Sequence, residues 1–301
     1  MGWLKKIFDG RSAFRSADLS DMEFFVTDEQ REKLQHVLVD IYIDIANVCS
    51  ENNLTPFFMG GSALGAIRHK GFIPWDDDLD LGMMREEYER FIHAFEEKFS
   101  DKYIVSAPGR KATVSRFTKI IKRGTTFEGL FSSKNDELNG IFIDIFPIDN
   151  VPDNKLIKAY KGINADCLAY ISSQVYSYCN RTLESKEALR RTGRMNYSIR
   201  TIIGKIFSIK SPDWWFERFD RCVQYSKQNT RYCTVAPGRK HYFGEVIERE
   251  KILPVHHAEF CGLDVALFND IDAYLSNLFG NYMEIPPVEK RERHSIKKLE
   301  F

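Results

Sequence analysis

Phe57-Phe-Met-Gly-Gly-Ser-Ala-Leu-Gly65, followed by Trp75-Asp-Asp-Asp-Leu-Asp-Leu-Gly82, is the stretch on which the reading of this chain turns. Residues 56–59 form a short apolar run suited to a buried strand. Gly60-Gly61 then forces a tight turn into a short helix over 62–68, and 79–83 reads as a second strand. Between them Asp76, Asp77, Asp78 and Asp80 crowd four carboxylates into five residues. At ~5 Å two unit charges repel by ~3 kcal/mol at an effective dielectric near ~20, so a fold keeps such a cluster readily when cations offset it. Asp78 and Asp80 stand two apart, and on a strand both project from one face. Two hard oxygen ligands side by side suit Mg²⁺ or Mn²⁺ that also holds substrate phosphates.

The turn supplies a complementary half. Gly60 and Gly61 let backbone approach a ligand closely, the helix start after them offers N–H groups to a phosphate, and Ser62 adds a hydroxyl. Alone, Gly-Gly-Ser is ordinary turn chemistry. The stretch fits neither Gly-x-Gly-x-x-Gly in register nor the Walker lysine, which sets aside dinucleotide and P-loop readings. A calcium loop would use Asp76, Asp78, Asp80 and Glu87, but its sixth position is Leu81 where the sharp turn needs glycine.

Further along, residues 140–146 alternate Ile141, Ile143, Ile145 against Phe142, Asp144, Phe146, a strand expected to end at Pro147. A charge between two Phe on one face is costly to bury without a partner, so Asp144 reads as a site residue rather than as part of a wet edge. Residues 27–52 predict a long helix, with Leu34, Val37, Leu38, Ile41, Ile45 and Val48 on one stripe and Thr27 and Asp28 at its start. Residues 85–99 predict another helix, and short strands follow over 103–127, with 115–121 the clearest.

From 154 to 208 the chain reads as helical, and 213–228 as a further helix; mixed short elements follow to the end. Residues 181–210 hold eight Lys/Arg against two Glu. A solvated helix face and a cradle for an anionic substrate or lipid headgroups both fit that excess. The expected organisation is an N-terminal segment over 1–26, a catalytic core over 27–150, and a helical lobe with substrate-binding elements over 151–301. In the first segment Trp3, Leu4, Ile7 and Phe8 against Lys5 and Lys6 suit peripheral contact with a membrane surface, and equally a loose terminus or a helix packed on the core.

Composition narrows the class. At 43% hydrophobic and 29% charged the chain is globular in type, and 43 Lys+Arg balance 43 Asp+Glu, so bulk charge gives no pointer to nucleic acid. The six cysteines form no C-x-x-C pair, and no secretory leader is read, which points to reduced thiols in the cytoplasm. No apolar run approaches the ~18–20 residues that span a bilayer.

A Gly-Gly-Ser turn, a strand with Asp-x-Asp and a later strand with one Asp resembles the nucleotidyltransferase superfold. More narrowly, Gly60-Gly-Ser-Ala-Leu-Gly-Ala-Ile-Arg-His-Lys-Gly-Phe-Ile-Pro-Trp-Asp-Asp-Asp-Leu-Asp-Leu-Gly-Met83 resembles the signature of the LicD family, which includes the fukutin-related proteins. Gly140 through Asp149, Tyr242-Phe-Gly-Glu245 and Leu278 through Pro287 resemble its later blocks, so the likeness runs from about 30 to 295 and is weakest between 155 and 235.

That resemblance implies an α+β fold, with a nucleotidyltransferase-like mixed sheet flanked by helices and a mainly helical C-terminal lobe. It implies a phosphotransferase that moves phosphocholine or a similar group from a CDP-linked donor to a hydroxyl of a glycan or lipid-linked glycan. Two Mg²⁺ or Mn²⁺ ions would sit on Asp78, Asp80 and Asp144, with Asp76 a further ligand. Gly60, Gly61, Ser62 and Arg68 would hold donor phosphate. Arg68, His69 and Lys70 serve either developing charge or a basic counterweight to the acidic cluster, and Trp75 either packs in the core or stacks on a base. A nucleotidylyltransferase releasing pyrophosphate, and a non-catalytic glycan- or membrane-binding relative, are the rival readings. The expected location is the cytoplasm, peripheral to the inner face of the plasma membrane.

Overall fold

A computed structural model describes residues 19, 21–22, 24–110, 113–226, 228–291 and 295–301. The apolar and basic residues at 3–8 lie outside them. In chain order the helices are α1 (Asp28–Asn52), α2 (Gly60–His69), α3 (Arg85–Phe99), α4 (Lys155–Cys179), α5 (Leu183–Arg191), α6 (Arg194–Phe207), α7 (Pro212–Val223), the single turn α8 (His241–Gly244) and α9 (Ile271–Phe279). The strands are β1 (Phe24–Phe25), β2 (Phe57–Phe58), β3 (Asp80–Met84), β4 (Tyr103–Ser106), β5 (Thr118–Lys122), β6 (Thr126–Glu128) and β7 (Phe142–Val151). After the lobe come β8 (Tyr232–Thr234), β9 (Val246–Glu248), β10 (His256–Phe260), β11 (Leu263–Leu267), β12 (Ser295–Ile296) and β13 (Lys298–Glu300).

The central sheet runs β10-β11-β2-β3-β7-β5-β4. The β11–β2 and β3–β7 pairs are parallel and the rest antiparallel, so the sheet is mixed and the fold is α+β. Alternation along β3 and β7 decides what faces where. Leu81, Ile143 and Ile145 are fully buried in the core that α1 and α3 share, while Asp80 and Asp144 take the opposite face. The buried stripe of α1 is the one its spacing predicts, except that Val37 is only half-buried at its edge. Its start is a capping box, with Thr27 accepting from the Gln30 N–H while the Gln30 side chain accepts from Thr27 N.

Three expectations shift. Helix α2 begins at Gly60, two residues early, because Gly60 takes φ of +51° and turns the chain directly off β2. Pro147 does not end its strand: β7 continues to Val151. On one side Pro147 still pairs with Met83. On the other it falls between the stretch paired with β5 and the stretch paired with β8, where a missing N–H removes no rung. Third, the mixed short elements expected after the lobe do more than follow it. Strands β10 and β11 complete the central sheet beside β2, and Phe260, Leu267, Phe268 and Leu275 enter the main core.

The lobe proper is α4 with α6 and α7 packed on it, around Ala165, Ala169, Phe219 and Val223. It is tied to the sheet by a buried ionic junction. Arg85 grips Asp149 through Nε at 2.7 Å and Nη2 at 2.8 Å, and its Nη1 lies 2.8 Å from Asp220 on α7. Burial opposes the guanidinium charge there, but the two carboxylates raise its pKa well above the ordinary value.

Candidate active site

The site is assembled where β2 hands over to α2 and β3 begins. Met59 N donates to Asp80 O at 3.0 Å, which sets the start of α2 against the start of β3. An added Cβ on Gly60 would stand 3.0 Å from Asp80 Oδ2, and one on Gly61 2.8 Å from Asp76 Oδ2. The two glycines are thus the surface on which two of the acidic side chains rest. Ser62 lies beneath them, 2% exposed, and its Oγ accepts from Asp80 N at 2.9 Å. Gly60 N donates to Tyr274 Oη on α9 at 3.1 Å. The structure therefore gives Gly60 and Ser62 partners within the protein that fix the acidic strand to the turn.

Asp76, Asp78 and Asp80 are half-buried, while Asp77 and Leu79 between them are buried, the alternation of an extended segment. Asp76, Asp77 and Asp78 can each bring one carboxylate oxygen within 4.8 Å of the others. Helix α1 holds this segment from behind: Arg31 donates to Pro74 O at 3.3 Å and Gln35 to Asp76 O at 2.9 Å. Across the sheet, Asp80 is the register partner of Asp144, and Asp144 in turn of Lys119 on β5. Lys119 Nζ sits 2.6 Å from Asp144 Oδ1 and 3.3 Å above the centre of the Phe142 ring. Phe117 packs on Phe146 with centroids 4.3 Å apart. Asp144 therefore shares its face with aromatic rings and has the Lys119 ammonium beside it, which answers the cost of placing a charge between two Phe.

The residues that follow α2 separate. Arg68 donates from Nη1 to Tyr282 O at 2.7 Å and from Nε to His69 Nε2 at 2.9 Å. Burial lowers its pKa, and Asp76 opposes that shift, so Arg68 lies within electrostatic reach of the acidic cluster. Burial, then Arg68, lowers the pKa of His69, consistent with a neutral ring that accepts the Arg68 hydrogen bond. Lys70 turns away to Glu259 on β10 at 3.2 Å. Trp75 belongs to the core, 8% exposed, with the Arg291 guanidinium 4.2 Å from its ring centre, so core packing is the reading the structure shows.

Lys119 and Tyr274 are the site residues that sequence reasoning missed. Lys119 alternates with buried Thr118 and Ile120, a signal that places it on the outer face of a strand. Which carboxylate it would meet depends on the neighbour of that strand, which alternation does not specify. Tyr274 carried no local signal.

Asp76, Asp77 and Asp78 bring carboxylate oxygens together beside the start of α2, with Asp80 against Gly60, and such hard-oxygen donors fit a divalent cation chemically. Residues 53–167 match the family model described as LicD/FKTN/FKRP, nucleotidyltransferase domain. The chain is 26% identical over 264 residues to the lipopolysaccharide cholinephosphotransferase LicD of Haemophilus influenzae, covering 83% of this chain and 90% of that protein. It is also 28% identical over 145 residues to an uncharacterised protein of Rickettsia typhi, covering 45% of this chain and 42% of that one. A protein of Rickettsia prowazekii is 42% identical over 50 residues, 17% of this chain and 19% of the relative.

Proposed function

We propose that this chain, which belongs to the LicD family through its domain at 53–167, is a metal-dependent phosphotransferase working from a CDP-linked donor. Similarity to a cholinephosphotransferase over most of its length supports a transferase and favours phosphocholine as the group moved. The acceptor in this reading is a hydroxyl of a cell-surface glycan or its lipid-linked precursor, met at the cytoplasmic side of the membrane. Among the described residues no helix is long and apolar enough to cross a membrane.

The observation that carries the proposal is the register of Asp80 against Asp144, with Asp76 and Asp78 on the same extended segment and the start of α2 beside them. Asp78, Asp80 and Asp144 would hold Mg²⁺ or Mn²⁺, with Asp76 as a further ligand, and the bound charge would lower the cost of bringing diphosphate and attacking oxygen together. The first-turn N–H groups of Gly61 and Ser62 would be offered to the donor phosphate oxygens. Arg68 adds positive charge from the other side of the acidic loop. Asp144 takes the acceptor proton as that hydroxyl forms a bond to the phosphorus bearing choline; the bond from that phosphorus to CMP breaks, and CMP leaves. Lys119, on Asp144, holds the carboxylate in place through that transfer.

Isothermal titration of CDP-choline against the full chain, with and without Mg²⁺ or Mn²⁺, tests the reading beside an Asp78→Asn, Asp80→Asn double variant. Metal-dependent binding that the variant loses is the expected result. Binding of CMP but not of CDP-choline would overturn the cargo, and no nucleotide binding under any metal condition would overturn the enzyme. Release of pyrophosphate from CTP, with no CMP released from CDP-choline, would transfer the chain to the nucleotidylyltransferases.

A further inference from the structure

The basic segment 181–210 folds into α5, α6 and the corner that leads to α7. Gly204 lets α6 lie directly on α4: a Cβ there would stand 2.6 Å from Tyr178 Cβ and 2.7 Å from Gln174 O. Arg200 turns to that same buried side, 3.4 Å from Gln174 Oε1. The opposite side of α6 faces solvent, and it is apolar. Met195, Ile202 and Ile206 are each more than half exposed, and Ile209 just beyond the helix is 87% exposed. Their spacing of three, four and seven residues puts them on one stripe. Trp214 is exposed at the start of α7, with Lys210 Nζ 5.8 Å from its ring centre, and Lys205 is exposed alongside.

Scattered exposed apolar residues are ordinary on a protein surface; a contiguous stripe on a helix that already buries its other face is not. Charge selects the occupant. The chain as a whole is neutral; within 181–210 Arg200 turns inward and Arg190 and Arg191 pair with Glu187 and Asp21, while Lys205 and Lys210 stand exposed beside the stripe. A two-fold contact between copies through this stripe would set those lysines against each other. An anionic bilayer offers the opposite sign, takes apolar side chains below its headgroups, and favours Trp and Lys at the boundary. We propose that the outer face of α6 and the 205–214 corner dock this protein on an anionic lipid surface. The inference goes beyond the transferase reading and does not depend on it, since vesicle binding is read without turnover.

The test is co-flotation of the full chain with vesicles of phosphatidylcholine alone and of phosphatidylcholine mixed with phosphatidylglycerol. Binding to the mixed vesicles should exceed binding to neutral ones by roughly tenfold and fall as salt rises. Ile206→Glu with Ile209→Glu should abolish it. Lys205→Gln with Lys210→Gln, which keeps the apolar stripe, should weaken it by roughly tenfold. Both pairs are exposed, so a cooperative melt like that of the unaltered chain is expected and is checked first. Equal flotation with neutral and anionic vesicles would overturn the proposal. So would loss of flotation through Trp3→Ser with Ile7→Ser but not through the Ile206 and Ile209 pair. Concentration-dependent dimerisation abolished by the Ile pair, without vesicle binding, would assign the stripe to a second copy instead.

Discussion

Asp80 and Asp144 face each other as register partners across the parallel β3–β7 pair, and Lys119 is the next residue in that row on β5. A row of two acids and one base across three strands is more than a cluster that sequence crowding produced. It joins residues whose only shared property is their place in the sheet.

Replacing either acid by Asn removes a proposed ligand while keeping its shape. Asp144→Asn should lower kcat/KM with CDP-choline by about 10³-fold or more, the scale set by losing a principal charge-stabilising group. The melt should stay cooperative. Steady-state assays of CMP release across a Mg²⁺ series check this, and activity within about tenfold of the parent would remove Asp144 from the mechanism.

Lys119→Gln should separate two roles of the row. Without metal, Asp144 loses its close cation, and the fold should weaken by about 2–3 kcal/mol, less than for a fully dry pair because both side chains retain 15% exposure. Millimolar Mg²⁺ should restore part of that loss, since the ion offsets the same carboxylates. Urea melts with Mg²⁺ and with chelator read the difference, and a loss insensitive to metal would contradict a cation site at Asp144.

Gly61→Ala pulls stability and binding in opposite directions. A first-turn Ala is a better helix former than Gly by up to about 1 kcal/mol, so the melt should hold or rise. The new Cβ would stand 2.8 Å from Asp76 Oδ2, so that carboxylate must move. Metal-dependent nucleotide affinity should then drop by about tenfold, which is ~1.4 kcal/mol. Unchanged affinity in the titration would show that Asp76 lies outside the ligand set.

The Arg85 junction predicts a pH signature away from the site. Burial first, with Asp149 adding and Arg85 opposing, lifts the pKa of Asp220 from 3.8 to about 6. The folded chain thus keeps a proton that the unfolded chain has lost, so this group's contribution is complete below the unfolded value of 3.8 and is lost as pH rises through about 6. The loss is at most about 3 kcal/mol. Asp220→Asn should remove that slope, leaving a variant whose stability relative to the parent improves from pH 4 to pH 7, about the window those two values span. Parallel melts across that range decide it; a constant offset would mean that Asp220 is ionised throughout.

What the sequence determined by itself was everything carried by near neighbours. The stripe of α1 and the alternation through Asp78, Asp80 and Asp144 follow from side-chain periodicity within one element. The Gly60-Gly61 turn follows from backbone freedom at two residues, and the α+β class is what the family resemblance implies. Family likeness then joined these pieces into one expected site. Tertiary structure alone decided which strands lie side by side. That choice set Asp80 against Asp144 and Lys119 against Asp144, and brought Tyr274 to Gly60. It also returned β10 and β11 to the central sheet from the far end of the chain. Alternation marks the face of a strand but is the same for every possible neighbour. Only the burial of a shared core selects one pairing among them.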